Sequence, residues 1–207
     1  MTFIDIVDPE DAEEPLATLY KKVQGPDGRI DNILKAHSLR PASLEGHMAL
    51  YKNVLHHRDN KTPKWFLETI GVFVSMLNRC GYCIDHHATG MKRLLRDDEK
   101  AEAIQKSLES AANDPRASFS DLFSEKEKSA LAYARAITTA PADITAARIH
   151  ALRSDGWTDS EILEINQVSA YFAYANRTVL GLGVTTEGDT LGLSPNNDDN
   201  ADDWGHR

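Results

Sequence analysis

Cys80 and Cys83 are the only cysteines in the 207-residue chain, within the run Cys80-Gly81-Tyr82-Cys83-Ile84-Asp85-His86-His87. On a helix, at about 100° per residue, Cys80, Cys83 and His87 fall near 0°, −60° and −20°, so all three share one narrow stripe. Two thiols so placed can close a disulfide, and the imidazole can help make a thiolate. This is thiol redox chemistry.

The pair lies where one helix should end and the next begin. The unpaired N–H groups of a helix start stabilise a nearby anion, which lowers a thiol's pKa. Cys80, in or beside the turn, is expected to be the more accessible thiol and to resolve an oxidised Cys83 into a disulfide. Glu68 stands twelve residues before Cys80. On one straight helix it would lie about 18 Å away, out of reach. If the chain doubles back at Asn78-Arg79-Cys80-Gly81, His87 sits about 10 Å into the return helix, abreast of Glu68. The expected order is then Glu68, His87, Cys83, with room for a water in the chain.

Rival readings use the same residues. Zinc could take Cys80, Cys83 and His87 with His86, His37, His47, His56 or His57 as a fourth ligand. A structural zinc site commonly shows a second paired motif, which is missing, so no metal is expected. Covalent haem would need histidine where Ile84 stands, and no other cofactor is called for. Inert core thiols are the bland alternative. His56-His57 beside Arg58 reads as a solvated helix end. Asn176-Arg177 reads as a subunit contact, a site mouth or an exposed polar helix end, and Tyr171, Phe172 and Tyr174 as packing.

The elements that must position these groups read as helices. Spans 16–23, 32–37 and 42–57 come first, the last with Leu44, Met48, Tyr51 and Leu55 on one stripe. Pro63 opens a helix whose broad apolar face includes Trp65, Leu67, Ile70, Phe73, Val74 and Leu77. Helices follow over 82–95, 99–112, 128–138, 145–154 and 158–174, then a stretch ending near Leu180. Ser124…Glu127 and Thr158…Glu161 are capping-box signatures. No stretch alternates with period two, so the fold class is all-α.

A helix–turn–helix pattern at 61–95 recurs faintly at 124–165. It suggests one domain over 1–185 built from two related helical halves, about 30–112 and 120–185. Residues 186–207 read as an acidic, flexible tail. The net charge of −9 argues against nucleic acid and anionic membrane surfaces as partners. No apolar run approaches the roughly 18 residues of a membrane span, and the first fifteen residues lack a secretory pattern. A cytoplasmic location is expected, where a CxxC pair is catalytic or metal-binding more often than structural.

With these residues assembled, the chain resembles the AhpD-like alkylhydroperoxidase and carboxymuconolactone decarboxylase superfamily, closest to its peroxidase-related branch. The resemblance rests on Glu68, the twelve-residue gap, Asn78, Cys80-Gly81-Tyr82-Cys83 and His86-His87. It extends upstream to Asn32-Ile33-Leu34-Lys35-Ala36-His37-Ser38-Leu39-Arg40-Pro41 and Leu50-Tyr51, and downstream to Asn176-Arg177 and Gly181-Leu182-Gly183-Val184. Tyr82 stands where some peroxidase members carry histidine, and Trp65-Phe66-Leu67 where an arginine often precedes the relay glutamate. The resemblance implies an AhpD-like helical bundle and homo-oligomers (dimer, trimer or hexamer). It also implies hydroperoxide reduction, with Cys83 attacking, Cys80 resolving, and Glu68 and His87 relaying protons. The reductant would be a dithiol or a lipoylated protein.

Two other functions stay open. A cofactor-free, carboxymuconolactone decarboxylase-like enzyme would not need the paired thiols. A non-enzymatic, redox-sensitive binding module would use them without turnover.

Overall fold

The computed structural model describes residues 2–195 and 203–207. Its α-helices are α1 (Leu16–Val23), α2 (Asn32–Lys35), α3 (Pro41–Leu55), α4 (Lys64–Leu77), α5 (Gly81–Leu95), α6 (Asp98–Asn113), α7 (Glu125–Thr139), α8 (Ala146–Ser154) and α9 (Asp159–Leu182). Among the described residues the one β-type pairing is an isolated bridge between Pro195 and His206. The protein is all-α, as its periodicity requires.

Local chemistry sets the helix ends. Both expected capping boxes form: Ser124 with Glu127 opens α7, and Thr158 with Glu161 opens α9. Each satisfies orphan N–H groups of a first turn. The two helical stretches expected after Thr158 are one continuous α9, which stops at Gly183 in the left-handed region.

Helix α4 is the centre of the molecule. Every residue from Phe66 through Met76 is buried, so this helix is covered on all sides. Helix α9 crosses it at Gly71, where an added Cβ would stand 2.1 Å from the Phe172 ring. One continuous apolar core joins Leu34, Ile70 and Leu108 with Phe123, Leu131 and Phe172.

The turn after α4 builds the hairpin that carries the thiols. Arg79 adopts φ 57°, Cys80 N–H donates to the Ser75 carbonyl (2.9 Å), and Arg79 N–H donates to Met76 (3.0 Å). These are the two bonds of a Schellman closure, with Arg79 where glycine is usual. Cys80 is at once the last residue of that closure and the N-cap of α5, which returns antiparallel to α4.

The described part of the segment expected to be a flexible tail is anchored. Trp204 and His206 are buried, and Lys52 Nζ donates to the Asp203 carbonyl (2.8 Å). Aromatic and hydrogen-bonding side chains among the acidic ones supply the attachment. Most of the acidic run, 196–202, lies outside the described residues.

Candidate active site

The α4–α5 hairpin brings Glu68 and His87 together: Glu68 Oε2 lies 2.7 Å from His87 Nδ1. Both side chains are largely sequestered, Glu68 the more so. A carboxylate accepting from Nδ1–H leaves Nε2 as the basic nitrogen of the ring. Phe172 packs against the imidazole in a T-shaped pair, 4.6 Å between ring centroids. The close approach allowed by Gly71 therefore also orients His87.

The two sulfurs are 3.2 Å apart and reduced. Cys80 is not the more accessible one: it is 0 % exposed and Cys83 2 %. The Schellman turn tucks Cys80 among Ala36, Val179 and Val184. Cys83, with Glu68 and His87, lines a cavity that also meets Asp31, Tyr51 and His86; Cys80 does not reach it. Among the described residues no hydrogen bond joins His87 to either sulfur, so a proton moving between them needs a bridging molecule in the cavity.

The helix start acts on Cys80 rather than Cys83. The neighbouring Cys83 thiol pulls Cys80 below its ordinary value, against burial and with help from the Cys83 amide and Asn176. The same contact, with burial second, pushes Cys83 up. Asn176 is fully buried rather than an exposed helix end; its Nδ2 donates to Ser75 Oγ (3.0 Å) and its Oδ1 accepts from Asn78 (2.9 Å). It ties the floor of the thiol turn to α9.

His56 is not a solvated helix end either. It is 1 % exposed, and its Nε2 lies 3.8 Å from Glu68 Oε1, on the side of the carboxylate away from His87. Burial holds it well below the ordinary histidine value, so a neutral ring backs the glutamate. Residues 44, 48, 52 and 56 repeat every four positions along α3, a signal that the apolar count alone passed over.

A second polar group, missed in the sequence, is centred on Asp189 behind the Tyr82 and His86 that line the cavity. Asp189 Oδ2 accepts from Tyr82 Oη (2.7 Å) and lies 3.2 Å from His86 Nε2, while Asn32 N–H donates to both Asp189 oxygens at 3.1 Å. Tyr82 stacks on His86 at 4.5 Å. Asp31, His86 and Asp189 present ligand-type atoms all within 4.8 Å of one another. Burial lifts Asp31 to about 6, with Asp189 adding to the shift and His86 opposing it.

No family model and no curated protein matches the sequence. Solved structures do match. A peroxidase-related protein from Ralstonia eutropha, described as an alkylhydroperoxidase AhpD core, superposes with a TM-score of 0.74 at 20% identity, over 91% of this chain and 93% of that one. A peroxidase-related protein from Silicibacter gives 0.71 at 24% identity over the same shares. The chain has the AhpD-like fold. The debrominase Bmp8, as a cysteine-to-alanine variant in complex with 2,3,4-tribromopyrrole, shares this fold with a TM-score of 0.66 at 20% identity, over 91% of this chain and 95% of that one. The AhpD-like architecture is thus the one that the residues around Glu68 and Cys80 resemble. Among the described residues, no helix is long and apolar enough to cross a membrane.

Proposed function

We propose that the protein is a thiol-dependent hydroperoxide reductase. The observation that carries this reading is the 2.7 Å Glu68–His87 pair sharing one cavity with Cys83, while Cys80 waits 3.2 Å behind it. Cys83 is the attacker because it alone of the two thiols faces the cavity. Cys80 is the resolver because it is in contact and screened from substrate.

His87 Nε2 takes the Cys83 proton through a cavity water, and Glu68 stabilises the imidazolium. The thiolate attacks the peroxide oxygen; the O–O bond breaks, the proton goes to the departing alkoxide, and Cys83 becomes a sulfenic acid. Cys80 displaces water from it to form the disulfide. An external dithiol, small or lipoyl-borne, then reduces the disulfide and is itself oxidised.

The cavity, about 40 Å³, suits a compact hydroperoxide better than a bulky one. The paired thiols weigh against a decarboxylase, which has no need of them. Likeness to Bmp8 supports a second reading, in which the same dithiol reduces a small halogenated ring, releasing halide and closing the same disulfide. Leu50 and Tyr174, apolar and exposed on adjacent helices, support self-association.

Consumption of hydrogen peroxide and of a small alkyl hydroperoxide with a dithiol reductant tests this, against tribromopyrrole in parallel. Wild-type turnover abolished by Cys83→Ser is the expected result. Equal, slow peroxide loss in both proteins overturns it.

A further inference from the structure

Among the described residues, a largely buried carboxylate and a buried imidazole beside the same cavity have no hydrogen-bond partner where they face each other. Asp31 accepts no hydrogen bond from a described residue, although its side chain is only 13% exposed. Facing it, 3.9 Å from Asp31 Oδ2, is Nε2 of His206, a ring 5 % exposed that also lines the cavity. The other ring nitrogen, Nδ1, lies 3.1 Å from the carbonyls of Val23 and Trp204. Carbonyls only accept, so Nδ1 carries the hydrogen and Nε2 presents its lone pair toward Asp31. A backbone carbonyl on the far nitrogen is how proteins commonly orient a metal-binding histidine.

On the other side of Asp31 stand His86 and Asp189, within 4.8 Å. Asp189 is itself held by Tyr82 Oη and the Asn32 amide. A protonated His86 could pair with Asp189 at 3.2 Å. That pairing would leave Asp31 and the His206 lone pair unanswered, and two carboxylates beside each other in a buried wall repel. One divalent cation answers all four groups at once.

We propose that Asp31, His86, Asp189 and His206 form a site for a first-row divalent cation of the zinc type, beside the cavity that Cys83 faces. Asp31, His86 and His206 are on the cavity's lining, and Asp189 stands behind them. Two imidazole nitrogens with two carboxylate oxygens suit zinc better than magnesium or calcium, which take oxygen donors. Tetrahedral ligands at about 2.1 Å from a metal stand about 3.4 Å from one another. The 3.2 Å and 3.9 Å pairs are close to that spacing. Asp31, His86 and Asp189 already lie within 4.8 Å of one another, and His206, outside that group, has to swing toward them for one metal to hold all four. The site is separate from the thiols and uses neither of them.

The test uses the untagged full chain carrying Cys80→Ser and Cys83→Ser, which removes the thiols as competing ligands. Zinc is titrated calorimetrically, and cobalt reports coordination by its absorption. The expected result is one equivalent of zinc per chain, with cobalt giving the intense visible d–d bands of a four-coordinate site. Adding Asp31→Asn or His206→Gln is expected to weaken binding at least about tenfold, and Tyr82→Phe to weaken it by a similar factor through Asp189. Helical circular dichroism identifies which variants remain folded. No stoichiometric uptake by the folded thiol-free protein overturns the site, as does uptake unchanged in a folded Asp31→Asn or His206→Gln variant. Binding is read without turnover, so the result is independent of the peroxidase assay.

Discussion

Glu68 meets His87 across the α4–α5 hairpin, 2.7 Å apart though nineteen residues separate them in sequence. This contact fixes the ring's tautomer, and its loss has a specific signature. Replacing Glu68 by Gln keeps the volume but lets an amide N–H point at Nδ1, which favours the tautomer with its hydrogen on Nε2. Peroxide turnover is expected to fall about a hundredfold, the order of a general-base contribution, with the fold retained. Steady-state rates across pH check this; a Gln variant with wild-type rate and pH profile would remove Glu68 from the relay.

The division of labour between the thiols has its own test. Cys80→Ser treated with one equivalent of peroxide should hold a single added oxygen on Cys83, trapped because its resolver is gone. Mass spectrometry of the peptide containing residue 83 reads it directly. Stable oxidation at position 80 in Cys83→Ser, with none at 83 in Cys80→Ser, would reverse the roles.

Arg79 occupies a left-handed position that costs a non-glycine residue about 1 kcal/mol. Arg79→Gly should therefore stabilise the protein by roughly 0.5–1 kcal/mol, and Arg79→Val should destabilise it by about 1 kcal/mol or more. Chemical denaturation midpoints distinguish these outcomes.

Gly71→Ala drives a methyl group into Phe172 and should cost about 1–3 kcal/mol. Because Phe172 also packs on His87, turnover should drop along with stability. A variant with lower melting temperature and unchanged kcat would uncouple the packing from the site.

Buried His47 gives a signed pH dependence. Burial, with His37 next, pushes it down to about 3, and its Nδ1 has no hydrogen-bond partner among the described residues. Between pH 6.5 and 3 the unfolded chain binds a proton that the folded one refuses. Its contribution to stability is thus fully present above about 6.5 and lost as pH falls toward 3. The loss amounts to a few kcal/mol at most, since each pKa unit is worth about 1.4 kcal/mol. His47→Gln should flatten the acid limb of stability against pH; an unchanged limb would exclude His47 as its source.

Much of this architecture is legible before any coordinates. Period and caps mark the helices from Leu16 to Leu182, and the Glu68–His87 contact follows from helix rise and one reversal at Asn78. What escapes is whatever depends on which side of the turn a side chain falls. Cys80 looks exposed because it sits in a turn, yet a Schellman closure points it inward against Val179 and Val184. His56 and Asn176 look like polar helix ends, but each is enclosed by elements distant in sequence. Asp31, Asp189 and His206 carry no local motif. Asp31 meets both only because the segment before α2 packs against residues after α9, a pairing that no spacing rule encodes.

The burial of α4 has a consequence for how anything enters. Glu68 rides on a helix enclosed from Phe66 to Met76, whose amides should exchange with solvent only on global unfolding. The facing wall at Gly192, Leu193 and Ser194 is attached by the Arg93 side chain, which donates to the Gly192 carbonyl, and by backbone bonds between Ser194 and Arg207. Its amides, outside any helix, should exchange by local opening and sooner than those of α4. The cavity beside Cys83 thus has one wall built into the helical core and another attached to it from outside.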